Sequence, residues 1–74
     1  MIEERQFIED LKALLETDRN IGMDTDLLDI DEWDSFSSVS FIAMAEEKYK
    51  IIVEPFSVAE AVLVEDLYRI ISNG

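Results

Sequence analysis

Four serines, Ser35, Ser37, Ser38 and Ser40, fall within six consecutive positions of DEWDSFSSVSF, residues 31 to 41, directly behind a run of carboxylates. A hydroxyl is a weak nucleophile until a base takes its proton, and histidine, the usual base, is absent from the chain. That argues against a Ser-His-Asp hydrolase, and no catalytic residue is expected. The chemistry left to Ser35 is to be acted on by another enzyme. A hydroxyl at a helix start lies among free amides and the positive helix end, where a phosphoester is stabilised. The plainer role for the same residue is that of helix N-cap.

The carboxylates ahead of the serines invite a cation. Asp24, Asp26, Asp29, Asp31 and Asp34 resemble a ligand ladder, but counted from Asp29 a calcium loop would need a ligand at Trp33, a glycine at Asp34 and a bidentate glutamate at Ser40. A dedicated metal site is therefore not expected, only loose divalent-cation binding that relieves the repulsion of the acids. The absence of both Cys and His removes the usual zinc sites as well as any disulfide framework.

These residues need a scaffold, and the apolar spacing supplies an all-α one. Phe7, Ile8, Leu11, Leu14 and Leu15 recur at helical spacing over residues 2 to 16, with Glu3 and Glu4 at the end where the helix dipole favours acids. Residues 17 to 33 carry turn formers and acids and form a long loop, anchored by Ile21, Met23, Leu27, Leu28, Ile30 and Trp33. Such loops are usually functional when ordered. Asp34 or Ser35 caps a second helix running to about Tyr49. In SVAE, residues 57 to 60, Ser57 is the expected N-cap and Glu60 the reciprocal partner of a short third helix. Val64, Leu67, Ile70 and Ile71 space a last helix over 64 to 72. The expectation is a small four-helix bundle, three main helices plus a short third helix, with the long loop between helices 1 and 2.

On the second helix, about 100° per residue puts Phe41, Ile42, Ala45 and Tyr49 on the core side with Ser38 between them, and turns Ser37 and Ser40 outward. Phe36, Val39 and Ala43 share a different, outward side beside Glu47. So small a domain has no internal partner for a second apolar stripe, which makes it a candidate docking surface flanked by Glu46 and Glu47. Phe36 could instead fold down onto Trp33.

At 74 residues, with 49% hydrophobic residues, the chain suffices for one small domain. Its formal charge of −12, from 18 acids and 6 bases, argues against nucleic acid and favours basic protein surfaces. The acidic opening MIEERQFIED lacks the basic start of a signal peptide. No apolar stretch nears the roughly 20 residues that span a bilayer, so a soluble, cytoplasmic protein with no membrane partner is expected.

An acidic helical chain of this size with WDSF opening its second helix resembles the acyl carrier proteins of the phosphopantetheine-binding family. DTDLLDIDEWDSFSSVSFIAMAEEKYKIIV runs parallel to the family's loop, its Asp-Ser-Leu attachment motif and a second helix ending in an acidic pair before an isoleucine-rich stretch. SVAEAVLVEDLYRII is similar to the short third helix and the closing helix. The resemblance covers nearly the whole chain and implies a single carrier domain, residues 1–74. It implies that Ser35 accepts 4'-phosphopantetheine from coenzyme A, through a Mg-dependent phosphopantetheinyl transferase, and that the added thiol carries acyl intermediates as thioesters. Asp34 matches the acidic residue before the attachment serine. Phe36, Val39 and Ala43 match the apolar contact positions of the recognition helix.

The partners implied are the transferase, an acyl-loading ligase or acyltransferase, a ketosynthase and other pathway enzymes with basic docking patches, meeting a monomeric carrier. Phe36 stands where the family more often has Leu, Trp33 where a small residue is common, and Ser37 and Ser40 where bacterial fatty-acid carriers usually have acids. These departures point to a free-standing carrier in a specialised pathway, fatty-acid, polyketide or other. Aminoacyl and peptidyl carriers of the D-alanyl type share the Trp-Asp-Ser start and are the alternative. A different class, an acidic helical adaptor phosphorylated at its serines, is also compatible with the cluster.

Overall fold

The computed structural model describes residues 2–73, which form four α-helices and no strand. Helix α1, Glu4–Leu15, buries Phe7, Leu11 and Leu15 at intervals of one turn, with Ile8 and Leu14 half-buried beside them. It ends where Glu16 turns left-handed, at φ 53°, so that the Thr17 N–H returns to the Lys12 carbonyl at 3.1 Å. Glycine is the usual residue for that conformation.

The connection to the next helix is long but ordered. Ile21, Leu27 and Ile30 are buried and Met23 and Trp33 half-buried, as their apolar character requires, whereas Leu28 is 90% exposed and anchors nothing. The reason is a short 3₁₀ turn, Leu27–Asp29, capped by the Asp26 carboxylate on the Leu28 N–H at 2.9 Å. This turn sends Leu27 and Leu28 in different directions. Backbone hydrogen bonds then stitch the loop to a distant segment: Leu27 N–H to the Val62 carbonyl (2.9 Å), Val64 N–H to Thr25 (3.0 Å) and Glu65 N–H to Met23 (2.9 Å).

Helix α2, Ser35–Met44, buries Phe41, and its continuation Ala45–Tyr49 widens into a π-turn in place of the ordinary helix expected as far as Tyr49. Lys50 closes it in the left-handed region, at φ 61°. Helix α3, Pro55–Glu60, starts earlier than SVAE suggested. Pro55 occupies its first position, where a missing N–H is harmless, and Ser57 lies inside the helix instead of capping it. Helix α4, Val64–Ser72, buries Val64, Leu67 and Ile71, and the Asp66 carboxylate holds its entry by accepting the N–H groups of Val62 (2.9 Å) and Leu63 (3.0 Å).

One apolar cluster joins these elements, and an aromatic series runs through it. Tyr68 of α4 meets Phe7 of α1 edge-on (centroids 5.4 Å), Phe7 meets Phe41 of α2 (6.2 Å), and Phe41 meets Trp33 (6.2 Å). A charged residue shares this interior. Asp10, only 7% exposed, accepts hydrogen bonds from Tyr49 Oη (2.6 Å), Gln6 Nε2 (3.0 Å) and Lys48 Nζ (3.1 Å). Consecutive residues of an ordinary helix point about 100° apart, and the π-turn narrows that angle so that Lys48 and Tyr49 both reach α1. Burial raises the Asp10 carboxyl, but the bonds from Tyr49, Lys48 and Gln6 outweigh it and hold the group below the usual carboxylate range. Burial and the facing carboxylate push the Tyr49 phenol well above its ordinary value.

Candidate functional site

The start of α2 is built from the loop that leads to it. Trp33 is fixed by its ring against Phe41 and by its N–H on the Ile30 carbonyl at 3.0 Å. Arg19, the only basic residue between Lys12 and Lys48, lies across the loop from Glu32 and Asp31, with Nε 3.2 Å from Glu32 Oε1 and Nη2 3.6 Å from Asp31 Oδ2. The next residue to be positioned is Asp34.

Asp34, not Ser35, is the N-cap. Its extended backbone, φ −147° and ψ −171°, turns the carboxylate back to accept the Ser37 N–H at 2.9 Å. The Ser37 N–H first, and then the Ser37 hydroxyl, hold the Asp34 carboxyl below the usual range. The Glu32 carboxyl is lowered as well, chiefly by its own backbone N–H and then by Arg19. The anionic character of this turn therefore extends below ordinary carboxylate pH.

The serines divide by position, though not as the wheel suggested. Ser37 is the buried one, its Oγ reaching the Glu32 carbonyl at 2.7 Å and Asp34 Oδ1 at 3.1 Å, so it locks the capping turn. Ser38 lies half-buried and bonds the Asp34 carbonyl at 3.0 Å. The wheel misplaced Ser37 because it assumed an ideal helix from Phe36, whereas a residue of the first turn can point its hydroxyl back under the incoming chain. Ser40 is half-buried rather than fully outward. Ser35, the first helical residue, is exposed, and among the described residues the hydrogen bonds of the turn are made by its neighbours.

The stripe beside Ser35 is present as exposed surface. Phe36 is 78% and Val39 65% exposed, and Ala43 is exposed one turn further along; Trp33 instead packs its ring against Phe41. Glu46 and Glu47 are exposed on the π-turn beyond it. The structure thus brings Asp34, Ser35, Phe36, Val39 and Ala43 onto one helix, with the two glutamates at its far end.

Sequence reasoning missed Arg19 and Glu32 and turned Ser37 outward, whereas all three hold the turn. Arg19 carried one signal, as an isolated positive charge opposite the acidic run. Chemically the arrangement offers the exposed Ser35 hydroxyl on a turn whose amides are engaged by Asp34, with an acidic collar and an apolar strip beside it. Among the described residues no cluster of three or more potential ligands could hold a metal ion, and no helix is long and apolar enough to cross a membrane. Comparison of the chain with protein-family models, with curated proteins and with solved structures found no match, so the function is argued from this geometry.

Proposed function

We propose that this chain is an acyl carrier protein whose Ser35 accepts 4'-phosphopantetheine and which presents acyl groups to successive enzymes. The observation that carries the proposal is the exposed Ser35 hydroxyl at the first position of α2, between the capping Asp34 and the exposed strip of Phe36, Val39 and Ala43. The residues fit such a group: the hydroxyl is accessible, and the helix dipole favours a phosphodiester there. The group would supply a thiol, which this cysteine-free chain lacks.

Asp34 and Ser37 keep the turn rigid, so that the serine is offered in one orientation. Phe36 and Val39 give a basic-rimmed partner an apolar contact beside the reacting atom, and Glu46 and Glu47 complement the rim. The four helices are taken as a bundle of three main helices and a short third. The aminoacyl alternative differs only in cargo and uses the same serine.

The test is intact mass after incubation with coenzyme A, Mg²⁺ and a broad-specificity phosphopantetheinyl transferase. One phosphopantetheinyl increment is expected on the native chain and none on Ser35→Ala. No increment on the folded native chain, or one that persists in the variant, refutes the proposal.

A further inference from the structure

At the far end of α2 the chain forms a second feature that the carrier proposal does not use. After Lys50 the backbone runs extended, so side chains alternate: Ile51 is half-buried, Ile52 is 75% exposed and Val53 is buried. Ile51 and Ile52 then border an open groove of about 620 Å³ with Tyr49 and with Ile71 of α4. That is within the size range of small-molecule sites, roughly 300–1,000 Å³.

The charge of the groove runs against that of the molecule. The chain has 18 acids and 6 bases, yet the described lining includes Lys48 and Lys50 and no acid. Lys48 gives one bond to Asp10, but an ammonium has three donors and its side chain is 53% exposed. Lys50 is exposed and is held at the groove edge by the left-handed turn. The lining is therefore isoleucine with Tyr49 and Ser72 and a cationic lip.

We propose that this groove binds a small singly charged amphiphile, an alkyl carboxylate, with its head at Lys50 and Lys48 and its tail along Ile51, Ile52 and Ile71. The size and sign of the charges select this occupant. A large acidic partner or an anionic membrane would meet the whole −12 charge, whereas a monoanion pays that repulsion once. At physiological salt, charges beyond about 8 Å are largely screened, so the near charges dominate: Lys50, and Lys48 with Asp10 3.1 Å from its ammonium. The site is separate from Ser35, at the other end of α2 and its π-turn, roughly 20 Å away by helical rise.

The experiment is titration of the ¹⁵N-labelled chain, unmodified and as Ser35→Ala, with octanoate, octanol and acetate. Saturable amide shifts at Lys50, Ile51, Ile52 and Ser72 are expected with octanoate, equal in both proteins. Octanol, without the charge, and acetate, without the tail, should bind much more weakly. Lys50→Glu should weaken octanoate roughly tenfold, since it reverses a nearby unit charge. Ile52→Asn, at an exposed position, should weaken it several-fold without unfolding the chain. No saturation at millimolar octanoate, shifts centred instead on Phe36 or Leu28, equal binding of octanol, or indifference to both substitutions overturns the proposal. Failure of Ser35 to be modified would leave this result untouched.

Discussion

Replacing Asp10 tests how α1 is fastened to the end of α2. Alanine removes the acceptor for Tyr49 Oη, Lys48 Nζ and Gln6 Nε2, at 2.6, 3.1 and 3.0 Å. Hydrogen bonds to an ionised partner contribute roughly 1.5–3 kcal/mol each where buried. Lys48 is half in solvent and rehydrates easily, so most of the loss falls on the Tyr49 phenol. The expected cost of Asp10→Ala is about 3 kcal/mol, at the low end for a broken buried pair. For a chain of 74 residues the whole stability is roughly 4–11 kcal/mol, so the variant is severely weakened. In urea, with a slope of about 1 kcal/mol/M, the midpoint should fall by roughly 2–3 M.

The pH dependence makes the test specific. The folded Asp10 carboxyl lies below its unfolded value, so its ionised form is favoured in the native state. Its contribution is fully present above the unfolded value of about 3.9 and is lost as pH falls through the lower folded value. Asp10→Asn keeps the shape and one acceptor without the charge. The gap in stability between the native chain and Asp10→Asn should therefore hold steady at neutral pH and close below about pH 4. A gap that stays constant through the acid range, or an alanine variant within about 0.5 kcal/mol of the native chain, would refute the reasoning.

Two further outcomes follow from burial and charge. Phe41 is fully buried between Phe7 and Trp33, so Phe41→Ala should cost about 3–5 kcal/mol in chemical denaturation, whereas Phe36→Ala, at an exposed position, should stay within about 0.5 kcal/mol. The net charge of −12 makes the native state self-repelling, so the melting temperature should rise between low-salt buffer and about 0.5 M NaCl. A melting curve that ignores ionic strength would count against the second.

The helices that carry a repeated apolar face were legible in the residues. Phe7, Leu11 and Leu15 and then Val64, Leu67 and Ile71 are buried at the spacing that identified them, and α4 has the bounds expected. What could not be read depended on partners distant in the chain. Asp10 shares a face with Phe7 and Leu11, yet only Tyr49 and Lys48, delivered by a π-turn, make its burial tolerable. The start of α3 was misplaced because SVAE satisfies the capping pattern locally while Pro55 already fixes the first helical φ. At the candidate site, Asp34, Ser35 and the exposed strip were visible from spacing. Ser37 departs from the outward position of the helical wheel because a hydroxyl in a first turn follows the incoming backbone, while Ser38 is half-buried on a backbone carbonyl.

The backbone bonds between residues 23–27 and 62–65 also bear on the order in which structure is gained. They close a span of roughly 40 residues, an entropic debt that helices formed from local contacts do not incur. Until the segment before α4 has been synthesised, the loop ahead of Ser35 lacks its three cross-chain hydrogen bonds, and the capping turn hangs on a tether without its far support. The setting of Ser35 is therefore a late acquisition. An enzyme that recognises the folded turn would pass over a nascent or truncated chain, even though the whole WDSF motif has already been made.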